Sequence, residues 1–309
     1  MNPIIECKNI RHQYGSKLAL DNVNFSAPAG EPIALVGPNG AGKTTLFSIL
    51  CGYLKPTSGS VKILGHDANS PALFGKLGAL PQDALLDPRF SVLKQLLFFT
   101  RLQGMSKRQG IEEAERVLSL VGLSESKHVK PQELSHGMKK RVAIAQSLLG
   151  KPELILLDEP TAGLDPVNAR AIRKLISELS NEATFMVSSH NLDELEKLCS
   201  TVLYLDHGKL IQQQIAEVSN NAGYLTIQLL EELSADLHAQ LHALPVVEHI
   251  EQSQRMEYVI TYDDKIDPYF DQQLLRFLAD NAVKYRQLIK GRSLEDQLFT
   301  ETEKQAVNG

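Results

Sequence analysis

This chain has no long run of lysine or arginine, no C-x-x-C pair and no apolar stretch near the length of a membrane span. Each absence narrows the function. With a formal net charge of -5 and no basic block, composition gives no electrostatic ground for a nucleic-acid partner. Cys7, Cys51 and Cys199 leave one thiol over under any disulfide scheme, which fits a reducing compartment. The most apolar helical stretch, VLKQLLFFT at 92–100, falls far short of the roughly 20 residues that span a bilayer. The amino terminus MNPIIECKNI has an early acidic residue and no long apolar core, so no secretory signal is expected there. At 309 residues the expectation is a large domain plus a smaller one.

Residues 37–45 read GPNGAGKTT and match G-x-x-x-x-G-K-[ST]. EPIALV before them suits a buried strand, and TLFSILCGYL after them suits a helix. Glycines at 37, 40 and 42 permit close backbone approach, so successive N–H groups can wrap a phosphate chain. The helix N-terminus adds partial positive charge, Lys43 can reach the outer phosphates, and the Thr44 hydroxyl can ligate magnesium. The expected ligand is a nucleoside triphosphate. Its candidate contacts are the whole loop: Gly37, Pro38, Asn39, Gly40, Ala41, Gly42, Lys43, Thr44 and Thr45.

The remaining motifs fall along the chain in order. Two strands are expected over 4–26, joined by the polar stretch RHQYGSK, which places Tyr14 in a loop as a candidate stacking surface for a purine. GKLGALPQD predicts a strand ending at Gln82, whose side chain would then point into the ligand crevice of an α/β sheet. Ser91 to Lys130 reads as helical, with Ser91 as a cap and apolar residues at 111, 114, 117, 118 and 121. In LSHGMKKRVAIAQSLL, Ser135 and Gly137 open a helix with an apolar face of Val142, Ile144, Ala145, Leu148 and Leu149. That N-terminus could receive a second phosphate, although taken alone an ordinary capped helix explains it better.

PELILLDEP is an apolar strand that stops at Asp158 and Glu159, placed to hold magnesium through one carboxylate and polarise water through the other. Asp165 sits in a turn before a helix starting near Pro166. TFMVSSH ends at His190 as the previous strand ends at Asp158, NLDELEKLC reads as a helix, and TVLYLDHGKLIQQ reads as a hairpin turning at His207 and Gly208. Beyond Ala216 the order is β-α-β-β-α-β, with the central strands meeting near Ser253, which predicts a small ferredoxin-like unit; a helix SLEDQLFTETE follows. His238, His242 and His249 are scattered across a helix and a strand and do not form a zinc signature.

Together these motifs resemble one family, the ATP-binding subunit of ABC transporters. GPNGAGKTT resembles its Walker A, Gln82 its Q-loop glutamine, LSHGM its signature, LILLDE its Walker B, AGLD its D-loop and His190 its switch histidine, all in the family's order over residues 1 to about 215. Tyr14 matches the aromatic that stacks on adenine. The signature departs from the usual LSGGQ at His136 and Met138 while keeping Ser135 and Gly137, a looser form that resembles the ABC-2 exporter class, as SLEDQLF does more weakly.

The resemblance implies an α/β P-loop NTPase with a mixed sheet core over 1–216, a helical subdomain at roughly 88–150, and a C-terminal α+β domain over 217–309. It implies ATP and Mg2+ as cofactors, with Gln82 joining Thr44 and Asp158 as metal ligands. Glu159 and His190 are the implied catalytic residues, and Tyr14, Ser135, Gly137 and Asp165 the implied further nucleotide contacts. The implied assembly is a homodimer, or a pair with a homologous ATPase subunit, on a transmembrane permease at the cytoplasmic face of the membrane, powering export. The competing readings are a soluble ABC-type ATPase acting on ribosomes or DNA, and a nucleotide-binding regulator without hydrolysis. The single cassette and acidic charge disfavour the first, and Glu159 with His190 disfavours the second.

Overall fold

The computed structural model describes residues 3–190, 195, 198–199, 201–215, 223–264 and 266–291. The chain divides into two compact units, Met1–Ala216 and Glu217–Gly309.

The first unit holds two sheets. β1 (Ile5–Tyr14) pairs antiparallel with β2 (Lys17–Ala27) and with β4 (Ser58–Ile63), and β5 (His66–Asp67) closes that sheet in the order β2-β1-β4-β5. The second sheet takes β3 (Ile33–Val36), β6 (Leu77–Leu80), β7 (Leu154–Leu157), β8 (Thr184–Ser189), β9 (Thr201–Asp206) and β10 (Lys209–Ile215) in the order β10-β9-β3-β8-β7-β6. All its pairs are parallel except β9 with β10. Every residue of β3, β7 and β8 is buried, which is why their sequences are continuous apolar runs rather than alternating ones.

This order puts β3 between β9 and β8, and β7 between β8 and β6. The chain leaves the carboxyl ends of β3, β6, β7 and β8 at the phosphate loop, Gln82, Asp158–Glu159 and His190 respectively. Parallel strands bring those four exits to one edge of the sheet, the usual ligand edge of an α/β fold. Helix α1 (Lys43–Leu50) follows β3, and α2 (Val92–Leu102), α3 (Lys107–Leu120) and α4 (His136–Ser147) lie between β6 and β7 in the sequence; α5 (Pro166–Leu179) separates β7 from β8.

Three local expectations are corrected. Tyr14 ends β1 instead of lying in a loop, because pairing runs on through Gln13↔Leu18 and Tyr14↔Lys17 and leaves only residues 15–16 as a turn. Ser91 occupies the N-cap of α2 but its side chain caps nothing. The first amides are already taken, Val92 N–H donating to the Val129 carbonyl at 3.0 Å and Leu93 N–H to that of Lys127 at 2.8 Å. The strand expected to end at Gln82 ends at Leu80, so Gln82 stands in the following loop, where Pro81 has no N–H to extend the pairing. Helix α3 starts at Lys107 behind a capping box formed by Ser106 and Gln109. The expected face of α4 is buried, and of the expected α3 positions Ala114, Val117, Leu118 and Val121 are buried while Ile111 is half-buried.

In the second unit, β11 (Tyr224–Leu229), α6 (Ala235–His242), β12 (Val247–Gln254), β13 (Glu257–Tyr262), α7 (Phe270–Asp280) and β14 (Tyr285–Lys290) follow the predicted β-α-β-β-α-β order. The sheet is antiparallel throughout in the order β12-β13-β11-β14, the arrangement of a split β-α-β unit. Phe270, Leu274, Leu225 and Ile260 are fully enclosed in its core. The central turn falls at 255–256, with Met256 in a left-handed conformation, rather than at Ser253. The helix SLEDQLFTETE lies outside the described residues, as does most of NLDELEKLC. Among the described residues no helix is long and apolar enough to cross a membrane.

Candidate active site

A strand that must turn directly into a helix needs a loop that can pass close to its neighbours, and Gly37–Gly42 is such a loop. A Cβ on Gly37 would stand 2.0 Å from the Leu205 carbonyl oxygen, and one on Gly42 2.6 Å from that of Ala19, so any side chain there meets backbone. The β9–β10 turn is fastened to the same loop, Gly208 N–H donating to the Ala41 carbonyl at 2.9 Å.

The loop borders a cleft of about 380 Å³ lined by Tyr14, Asn39, Gly40, Gly42, Lys43, Thr44, Thr45, Gln82 and Glu159, together with Lys17, Leu18, Ala19, His207 and Gly208. Gly37, Pro38 and Ala41 belong to the loop without lining the cleft, and Ala41 is buried. Tyr14 is 51% exposed, which leaves much of its surface free for a ligand. Lys43 opens α1 and is buried; its ammonium donates to the carbonyls of Gly37 at 2.7 Å and Pro38 at 3.2 Å and lies 3.7 Å from Glu159 Oε1. A cation enclosed in this way, beside helix N-terminal amides, makes the cleft a site for polyanions.

Opposite the lysine stand the strand-end carboxylates. Burial pushes the Asp158 carboxyl up, and hydrogen bonds from the hydroxyls of Ser188 and Thr44 hold it back. Thr44 and Asp158 therefore already bring a hydroxyl and a carboxylate oxygen to one point, the hard-oxygen pairing that suits magnesium, with Gln82 on the same cleft. Glu159 Oε2 lies 2.9 Å from His190 Nδ1, so one carboxylate bridges an ammonium and an imidazole. This arrangement can hold a phosphate chain, ligate a hard cation and present a base to a water molecule.

Little in the sequence marks Ser188, yet it joins the Asp158 carboxylate to the Glu159 backbone. Its hydroxyl accepts the Glu159 N–H at 2.8 Å and donates to Asp158 Oδ1, and it is fully buried. The only signal was a serine pair at the end of an otherwise apolar strand. Replacing Ser188 with alanine leaves the Glu159 amide without its acceptor, and the expected loss is about 1–3 kcal/mol of stability by denaturant unfolding. A change within about 0.5 kcal/mol, the range of a neutral surface substitution, would contradict that role.

The other predicted residues gather elsewhere. Ser135 caps α4 by accepting from Met138 N–H at 3.2 Å. Gly137 is buried, and a Cβ on it would sit 2.5 Å from Asn168 Oδ1. Asp165 caps α5, accepting from Val167 N–H at 3.1 Å and Asn168 N–H at 3.0 Å through Oδ1 and from Asn168 Nδ2 at 2.6 Å through Oδ2. The Asn168 side chain first, then these amides, holds the Asp165 carboxyl below its usual range. Gly137 and Asp165 thus meet at Asn168, and none of Ser135, Gly137 and Asp165 lines the cleft of its own chain.

A family profile described as ABC transporter matches residues 20–162. The chain is 35% identical over 216 residues to the Nod factor export ATP-binding protein I of Cupriavidus metallidurans, covering 69% of this chain and 71% of that protein. It is 34% identical over 248 residues to the bacitracin transport ATP-binding protein BcrA of Bacillus licheniformis, covering 78% and 80%. Among solved structures, it resembles an ATP-binding cassette seen as a dimer in a post-hydrolysis state bound to ADP and Pi. The TM-score is 0.61 at 29% identity, covering 68% of this chain and 98% of that one.

Proposed function

This chain belongs to the ATP-binding subunits of ABC transporters, and from that membership we propose that two copies close on two magnesium-ATP molecules to power export through a separate transmembrane subunit. As a member of that family it is an ATPase whose hydrolysis drives transport. Export is the finer reading, and what supports it is the similarity to proteins whose names state Nod factor export and bacitracin transport.

The observation that carries the proposal is the split between two clusters in one chain. The cleft is lined by Asn39, Gly40, Gly42, Lys43, Thr44 and Glu159, with Asp158 bonded to Thr44, whereas Ser135 and Gly137 stand at a helix N-terminus outside it. A nucleotide held by both would require a second copy to present its Ser135–Gly137 end to the cleft of the first. In that complex the loop amides and Lys43 hold the phosphates and Tyr14 stacks on the adenine. Thr44, Asp158 and Gln82 would hold magnesium, which when bound would supply charge neutralisation at the phosphates. Glu159 orients and deprotonates the attacking water, and His190, joined to Glu159 by its Nδ1, contacts the terminal phosphate. The Asp165 turn lies beside Ser135 and Gly137 and contributes to the same interface.

A membrane partner is supported by a groove of about 750 Å³ between the loop after Gln82 and α2. Leu85, Phe90 and Phe98 line it at 93%, 46% and 59% exposure, and the buried Gln95 ties its floor by accepting from Asp87 N–H and donating to the Phe90 carbonyl. An apolar surface of this kind marks a protein-binding site. The proposed placement is therefore peripheral, at the cytoplasmic face of a membrane. Purification of the chain from detergent-solubilised membranes tests this: a polytopic protein should co-purify and be lost on Phe98→Glu, with ATP binding retained. Recovery of ribosomal or DNA-bound material instead would overturn the transport reading.

A further inference from the structure

Glu159 has φ +50°, a left-handed conformation that a residue with a Cβ holds only when its surroundings impose it. The peptide is fixed on both sides. Its N–H donates to Ser188, while its carbonyl accepts from Ala162 N–H at 3.2 Å and from the Lys140 ammonium at 3.5 Å. Lys140 is half-buried and stands on α4, the helix capped by Ser135. It also lines a second cavity, with Leu80 and Ala84 from the strand and loop flanking Gln82 and with His136 at the head of α4. Burial draws the Lys140 ammonium below its usual range, and the carboxylates of Asp158, Asp83 and Glu159 offset part of that. So a lysine from the signature helix meets the end of β7 and the loop after β6 at one seam.

We propose that Lys140 is a positioning residue for hydrolysis. Its ammonium holds the Glu159 carbonyl, and with it the left-handed turn that aims the carboxylate between Lys43 and His190. Ser135 and Gly137 are on the same helix, so a displacement of α4 on closure alters that aim: the state of the half-site given to the partner copy is transmitted to the chemistry of the chain's own cleft. The inference rests on the ATPase reading above and adds to it a mechanical link within one protomer. Lys140 does not line the cleft that holds Lys43 and Glu159.

The test is steady-state hydrolysis and equilibrium binding of magnesium-ATP by the full chain carrying Lys140→Met, Lys140→Gln or Lys140→Arg. The neutral variants should lose about tenfold or more in kcat, the scale of a misplaced catalytic group, with KM and Kd within about twofold of the parent. Arginine should restore most of the rate. In a Glu159→Gln background, Lys140→Met should cause no further loss, because the two residues act as a unit. Lys140→Gln keeps a polar head and stands in if the methionine variant does not fold. An unchanged kcat, a loss carried by KM, or an arginine variant as slow as methionine would each overturn the proposal while leaving the ATPase reading intact. A parent chain that neither binds nor hydrolyses magnesium-ATP would remove both.

Discussion

Replacing Glu159 with glutamine is expected to lower ATP turnover by roughly a hundredfold to ten-thousandfold, the range for loss of a general base. Binding of the nucleotide should survive. The substitution keeps the shape of a side chain that is only 7% exposed, and it leaves an amide group within reach of His190 Nδ1, where the carboxylate oxygen now lies at 2.9 Å. What it removes is the negative charge that stands 3.7 Å from the Lys43 ammonium and that can draw a proton from water. Lys43 then keeps its contacts to the carbonyls of Gly37 and Pro38 and remains available to phosphate. With hydrolysis blocked and ATP still bound, the two-copy state should accumulate. Size-exclusion chromatography of the variant with magnesium-ATP should show a dimer that the parent chain shows only transiently. Phosphate release at the parental rate would rule out Glu159 as the base, and a variant unable to bind ATP would show that the charge serves binding instead.

The parts of this site legible in the sequence are those whose physics is local. A phosphate loop announces itself because Gly37, Gly40, Gly42, Lys43 and Thr44 must stand at fixed offsets between a strand and a helix. LILL and TFMV declare buried parallel strands because both faces are covered, and their abrupt polar ends mark the ligand edge. Contacts made across the chain were not legible. Ser188 reaches Asp158 across 30 positions and Lys140 reaches Glu159 across 19, and neither serine nor lysine is rare enough at such positions to stand out. The same reason explains the local misses: Ser91 looks like a cap but loses its partners to the carbonyls of 127 and 129, and Tyr14 looks like a loop residue until β2 pairs with it. At α2 bonds from distant carbonyls displace the local cap, whereas at Tyr14 the hairpin ladder simply runs closer to its turn than the polar residues suggest.

Gly37→Ala is expected to weaken nucleotide binding by a hundredfold or more, and the reason is distance rather than backbone angle. At Gly37 the added methyl would lie 2.0 Å from the Leu205 oxygen and 3.1 Å from its carbonyl carbon, in the middle of the sheet where β9 is itself paired with β3 and β10. The Leu205 backbone cannot yield without disturbing strand pairing, so the cost should reach about 3 kcal/mol, the upper end for overpacking. The Gly37 carbonyl is also the closest acceptor of the Lys43 ammonium, at 2.7 Å, so a shifted loop carries the lysine out of place. Gly40 provides the comparison. It has φ +83° but nothing within 4 Å of its would-be Cβ, so Gly40→Ala should cost only the conformational penalty of about 1–2 kcal/mol. Magnesium-ATP affinity should therefore fall by a hundredfold or more in Gly37→Ala, about 2.8 kcal/mol at 1.4 kcal/mol per decade, and far less in Gly40→Ala. Equal losses in the two variants would mean that the loop works through its flexibility, not through its close approach to β9.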